Sequence, residues 1–383
     1  MTAISNIISA SSAFEEIELE FPNLFGGTQI NYYRGFELFG IPIYWYGVII
    51  TLGVIIAYIY AMLRTKDFGL SRDRVFDVVF AALIGGFIGA RAYYCIFATA
   101  QGLHEYTFIT AFTEIRDGGL AIYGGIIAAL IVGAVMCKIR KVKLAPMFDL
   151  AALGFLIGQC IGRWGNFVNQ EAYGGATDPD YIFGMSGTII QNGSGFEGGT
   201  LVHPCFLYES VWCLLGFIGL HFYSKKLRTY DGEVFLLYIA WYGLGRAFIE
   251  GMRTDSLMAG DLRISQIIAG ASFVVALVLF IVFKILAEKK QIPLYVNTDA
   301  SAELLAADKA RDEEAARKRA EKKAAKENEV AESILADDAD DVALEEAYDE
   351  EEQESSDIEP ENDADENSDS ENNETEKDDE SEE

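Results

Sequence analysis

The chain has 383 residues, 51% of them hydrophobic, and a formal charge of −29. Residues 1–286 hold 22 acidic and 19 basic side chains, net −3, whereas 287–383 hold 37 and 11, net −26. That split excludes an ordinary soluble domain for the first part, and the lack of a basic face argues against nucleic-acid binding. Cys95, Cys137, Cys160, Cys205 and Cys213 are scattered singly and there are three histidines, so neither a disulfide scaffold nor a metal centre is expected, and no cofactor.

Residues 1–37 read as an extracytoplasmic segment without the features of a cleaved signal peptide. A bilayer core takes about 20 apolar residues per helix. Leu38–Leu63 runs without a charge and is the first span. Asp77–Leu103 (with Arg91), Gly118–Cys137 and Leu144–Gly162 (with Asp149) follow. Leu207–Ser224, Val234–Glu250 (with Arg246 and Glu250) and Ile264–Phe283 complete the set. Residues 38–286 therefore read as an all-α integral membrane domain of about seven transmembrane helices. The loops holding Arg64–Arg74, Lys138–Lys143 and Lys225–Arg228, with Lys289 and Lys290, fall on one side, which the positive-inside rule makes cytoplasmic. Trp164–Pro204 contains no lysine or arginine, so the N-terminus is placed outside and the C-terminus inside. Residues 287–335 read as a charged, partly helical cytoplasmic segment, with a helix over Asp299–Ile334. Residues 336–383 are too acidic and too poor in apolar side chains to fold, and read as a disordered tail.

Arg91, Arg163, Arg246 and Arg253 lie within or beside spans, away from the basic loops. Charges there are costly and usually functional. Gly162–Gly174, GRWGNFVNQEAYG, holds Arg163, Asn166, Asn169 and Glu171, with glycines that permit close backbone approach. An arginine fork suits a phosphate, and amides and a carboxylate suit hydroxyls. The segment fits a site for a phosphorylated, hydroxylated headgroup; it fits equally a polar re-entrant turn that satisfies its own backbone. Tyr242, Arg246 and Glu250 recur every four residues and Arg253 follows three later, so a helix puts them on one face. Arg246 and Glu250 can form a structural ion pair, while the unpaired Arg253 and the Tyr242 phenol favour an anionic ligand. Tyr123 stands before Gly124 and Gly125, and a hydroxyl there can reach a neighbouring cavity. These glycines, like Gly85, Gly86 and Gly89, read as close helix packing. Trp45 and Tyr46 fit an aromatic belt, and Glu209 a first-turn carboxylate that suits its helix dipole.

GRWGNFVNQEAYG closely resembles the signature of the prolipoprotein diacylglyceryl transferase family. IYWYG, RDGGLAIYGG, HPCFLYES and YGLGRAFIEGMRTD resemble further blocks of that family, in its order, over about residues 38–286. The resemblance implies an enzyme of the bacterial cytoplasmic membrane. It would move the diacylglyceryl group of phosphatidylglycerol to the thiol of a lipobox cysteine in a preprolipoprotein. A thioether forms and glycerol 1-phosphate leaves. By the family pattern Arg163 binds phosphatidylglycerol, with Asn166, Glu171 and Gly174 essential around it; Asn169, in the same polar segment, is grouped with them as a headgroup residue. Arg246 is the second essential arginine, beside Tyr242 and Glu250, and Tyr46 matches the functional tyrosine of the first span. Two arginines converging on one phosphate suit the charge that grows as the C–O bond breaks. Many members carry histidine where this chain has Tyr123. A phenol is the weaker base at neutral pH, so Tyr123 is expected to position substrate while the phosphate or Glu250 takes the thiol proton. A lipid or anion transporter, or flippase, is the competing reading; the chain lacks the internal repeat such proteins often show.

Overall fold

The computed structural model describes residues 8–9, 14–24, 26–102, 104–114, 119–193, 199–255, 258–259 and 262–355. The chain divides into two units, Met1–Ala310 and Arg311–Glu383. Strands β1 (Ile8–Ser9), β2 (Glu16–Phe21), β3 (Thr28–Tyr33), β4 (Gly35–Leu38) and β5 (Ile41–Tyr44) come before the first long helix. Phe39 and Gly40, at φ 54° and 75°, join β4 to β5 in the two-residue turn that suits strand twist. The apolar run that begins at Leu38 is therefore strand as far as Tyr44, and helix α1 (Trp45–Arg64) starts only after it. These small sheets are an addition to the expected all-α architecture.

The remaining helices are α2 (Arg72–Ala100), α3 (Phe108–Thr113), α4 (Ile122–Ile139), α5 (Leu144–Asn169), α6 (Thr188–Gly193), α7 (Cys205–Lys226), α8 (Glu233–Met252) and α9 (Ile264–Lys290). Strand β6 (Ser186–Gly187) precedes α6, and β7 (Met258–Ala259) pairs with β8 (Leu262–Arg263). Among the described residues, six helices are long and apolar enough to cross a membrane: α1, α2, α4, α5, α7 and α9. They present Ile55, Phe87, Ile131 and Val275 outward, which is the arrangement lipid favours.

Small residues let these helices approach. A Cβ at Gly89 would lie 2.1 Å from the Ala128 Cβ, so α2 and α4 meet backbone to backbone, as the glycine runs suggested. Between α7 and α8, Trp212 and Trp241 stack at 4.3 Å, and each indole N–H donates to the other's carbonyl. Asp149, fully buried in α5, accepts from the N–H groups of Gly232 and Phe235 at 2.8 and 2.9 Å and so caps the start of α8. Its charge within a span thus has a structural cause. The end of the bundle where α1 and α7 begin and α5 and α8 finish is the upper end. There Leu19, Phe21, Met185, Ile190, Val202 and Phe206 form a separate apolar cluster.

Helix α10 (Asp299–Ser355) continues past residue 336, where the sequence suggested an unfolded tail; its Ala, Leu and Glu content supports helix. Residues 1–7, 10–13, 115–118 and 356–383, which include parts of the N-terminal segment, the third predicted span and the acidic tail, lie outside the described residues.

Candidate active site

Helix α5 runs on past Gly162 to Asn169, so Arg163 and Asn166 stand one turn apart on a helix rather than in a re-entrant turn. Gln170, at φ 51°, ends it in left-handed geometry. Arg163 Nη1 donates to Asn166 Oδ1 at 3.3 Å, and Asn166 Nδ2 donates to Glu171 Oε1 at 2.8 Å. Asn169 Nδ2 reaches the same oxygen at 3.4 Å, while its own Oδ1 is buried and finds no donor among the described residues.

The other nitrogen of Arg163 faces α7, where Nη2 lies 2.5 Å from Glu209 Oε1. Arg246 on α8 reaches Glu209 Oε2 at 3.1 Å and Glu250 Oε2 at 2.6 Å. The Tyr242 hydroxyl donates to Glu209 Oε1 at 3.4 Å. The Glu209 side chain is 3% exposed, so one buried carboxylate joins both arginines. In the sequence Glu209 stands out only as a first-turn carboxylate that suits its helix dipole. The missed signal was charge balance: two arginines in a low-dielectric bundle need two counter-charges, and Glu250 supplies one.

Arg253 is paired, contrary to the expectation that it is free. It lies past the end of α8, where the chain turns extended (ψ 146°) and brings Asp255 back onto its guanidinium at 2.8 and 2.7 Å. Burial alone would raise the Asp255 pKa, but the Arg253 hydrogen bond and charge hold it below the usual carboxylate range. Gly174 bridges to Arg253 and donates to the His203 carbonyl at 2.9 Å. A Cβ on Gly174 would lie 2.7 Å from the His203 Cβ, so only glycine fits. Burial lowers the His203 pKa, and its Nδ1 lies 3.1 Å from the Tyr208 hydroxyl.

Gly165 plays the same part for Tyr46: a Cβ there would sit 2.8 Å from the phenol ring. Tyr46 thus lies against the signature helix, a closer role than an aromatic belt. Tyr123 is not brought into this cluster. It is 61% exposed in the first turn of α4, and among the described residues no hydrogen bond links it to the arginines. Arg91 is likewise elsewhere: it is 1% exposed and donates to the carbonyls of Ala111, Glu114 and Gly119 at 2.7, 3.0 and 3.1 Å.

Residues 35–282 match the family model described as prolipoprotein diacylglyceryl transferase. Phosphatidylglycerol–prolipoprotein diacylglyceryl transferase of Clostridium novyi is 42% identical over 246 residues, 64% of this chain and 93% of the relative. The Finegoldia magna protein of the same name is 40% identical, over 65% of this chain and 94% of the relative. That of Clostridioides difficile is 41% identical, over 61% and 88%. The matched stretch contains every residue of the Arg163–Glu209–Arg246 cluster. The chain belongs to the prolipoprotein diacylglyceryl transferase family.

Proposed function

We propose that this chain transfers the diacylglyceryl group of phosphatidylglycerol to the thiol of a lipobox cysteine in preprolipoproteins, releasing glycerol 1-phosphate. The observation that carries the reading is the convergence of Arg163 and Arg246 on one buried carboxylate, Glu209. The point where two guanidinium groups meet an anion is a point where a phosphate can be held.

Arg163 and Arg246 grip the phosphate of phosphatidylglycerol. Asn166, Asn169 and Glu171 hold the headgroup hydroxyls, with the Asn169 Oδ1 acceptor still open among the described residues. Gly174 keeps the wall behind them thin. The substrate thiolate attacks the glyceryl carbon that bears the phosphate oxygen. The C–S bond forms as the C–O bond breaks, and the bonding pair leaves on the phosphate, where the arginines offset the growing charge. The thiol proton passes to the departing phosphate or to Glu250. Tyr242 and Tyr46 orient the cluster, and Tyr123 meets the substrate from the exposed face of α4.

Loop charges support seven spans, with α8 as the additional one, its Glu233 and Glu250 buried against its neighbours because such charges suit no lipid face. The same charges support an extracytoplasmic N-terminus and upper end, a cytoplasmic C-terminus, and residence in the bacterial cytoplasmic membrane. The test is mass spectrometry of a lipobox peptide incubated with the enzyme and phosphatidylglycerol. A thioether-linked diacylglyceryl adduct is expected, and folded protein that yields none would refute the assignment.

A further inference from the structure

Strands β2 and β3 form a hairpin that precedes the stretch matched to the family, 35–282. It is fastened beside the signature segment. The Tyr32 hydroxyl donates to the Val168 carbonyl at 2.9 Å, and Gln170 Nε2 donates to the Glu18 carbonyl at 2.7 Å. The Ile189 N–H donates to Gln170 Oε1 at 2.9 Å. Gln170 is 1% exposed and stands between Asn169 and Glu171, so the hairpin is bolted to the backbone of the headgroup site.

The sheet order is β3–β2–β6, which leaves β3 at an edge. Glu18 uses its N–H on Thr188 Oγ1 and its carbonyl on Gln170, both on the β6 side. Strand alternation then makes Ile17, Leu19 and Phe21 the residues that bond β3, opposite Tyr32, Ile30 and Thr28. The N–H and C=O groups of Gln29, Asn31 and Tyr33 therefore point to the open edge. Among the described residues no strand pairs with it. The β3 sequence, TQINYY, has no lysine, no proline and no charge, which are the devices that normally blunt an edge.

We propose that the β3 edge receives, by strand addition, the segment of the preprolipoprotein that follows the lipobox cysteine. This rests on the transferase reading above. The second substrate is then a polypeptide whose thiol must reach the Arg163–Arg246 cluster, and the edge is anchored next to that cluster. Main-chain bonding holds an extended segment without reading its side chains, so one edge serves whatever sequence follows the cysteine.

The test uses the full-length enzyme in phosphatidylglycerol vesicles and lipobox peptides with a long flank after the cysteine. Two further peptides carry N-methyl groups on alternate flank amides, in opposite phases. One phase removes the donors that face β3 and is expected to raise KM about tenfold, as the loss of one or two hydrogen bonds would. The other phase is expected to bind normally. Asn31→Pro, which removes an edge N–H of the enzyme, is expected to raise KM for the plain peptide and shrink the difference between phases. Equal KM values for all three peptides on the natural enzyme overturn the proposal, whatever the variant does. If no peptide is lipidated at all, the transferase reading itself fails.

Discussion

Glu209 holds Arg163 and Arg246 at 2.5 and 3.1 Å, so in the proposed mechanism the phosphate of a bound lipid would share or displace a carboxylate already between the two arginines. Lysine keeps the charge of Arg163 but loses the planar fork. We expect Arg163→Lys to insert normally and to lower diacylglyceryl transfer about 100-fold, the order of loss a small misplacement of reacting atoms causes. If both arginines grip the same phosphate, Arg246→Lys should behave similarly, and the double variant should be less than additive because the two would act as a unit. A near-normal rate for Arg163→Lys, normalised to membrane-inserted protein, would remove the clamp from the mechanism. Glu209→Gln tests the competitor. Removing one partner of a buried ion pair costs about 3–5 kcal/mol, so the melting temperature should fall. The same change frees both arginines for phosphate, so KM for phosphatidylglycerol should also fall; an unchanged KM would show that lipid and carboxylate do not compete. Tyr123 is exposed, so neither Tyr123→Phe nor Tyr123→His should alter stability by more than about 0.5 kcal/mol. Transfer should be better preserved by histidine, which keeps a hydrogen-bonding group. Full activity in Tyr123→Phe would reduce the residue to surface.

Between elements, Arg91 explains how a charge in a span can be structural. From α2 it donates to three carbonyls on the 104–121 connection and lies 5.1 Å from the Tyr106 ring centre. That connection leads into α4, whose first turn carries Tyr123. One ammonium cannot reach three diverging carbonyls, and an unsatisfied buried group costs about 1–3 kcal/mol. Arg91→Lys should therefore lower the melting temperature and open residues 101–114 to limited proteolysis. Unchanged cleavage there would mean that the loop is held by something else.

For the whole molecule, the composition break near residue 287 is not where the first unit ends. The Tyr295 N–H donates to Asp231 Oδ2 at 2.8 Å, and the fully buried Ser301 donates from its hydroxyl to the Gly69 carbonyl at 3.0 Å. Gly69, at φ 71°, has no room for a side chain, since a Cβ would lie 2.7 Å from Val296 Cα. The segment 292–301 is thus a strap across the lower end of the bundle. Ending the chain after Ala310 should leave transfer in membranes unchanged. Ending it after Gln291 removes the strap and should lower the amount of folded protein at a given temperature. Equal levels for the two truncations, measured by fluorescence-detected gel filtration, would show that the strap contributes nothing.

Long uncharged runs such as Gly118–Cys137 and Ile264–Phe283 determined the membrane helices, because a bilayer admits few other structures to such a composition. The four-residue spacing of Tyr242, Arg246 and Glu250 likewise determined a shared face, and the 2.6 Å Arg246–Glu250 contact follows from it. One is a continuous run and the other a periodicity, and both are local features legible along the chain. Hydropathy places the start of α1 too early because it does not distinguish a membrane helix from an apolar hairpin closed by Phe39 and Gly40. Pairings across the sequence were out of reach altogether. Glu209 meets Arg163 and Arg246 from 46 and 37 residues away, and Arg253 is claimed by Asp255 only because the helix ends at Met252 and the chain turns extended at Arg253. Which carboxylate answers which arginine depends on how α5, α7 and α8 pack. Only the tertiary structure decides that, because a buried charge takes the partner that packing brings within reach.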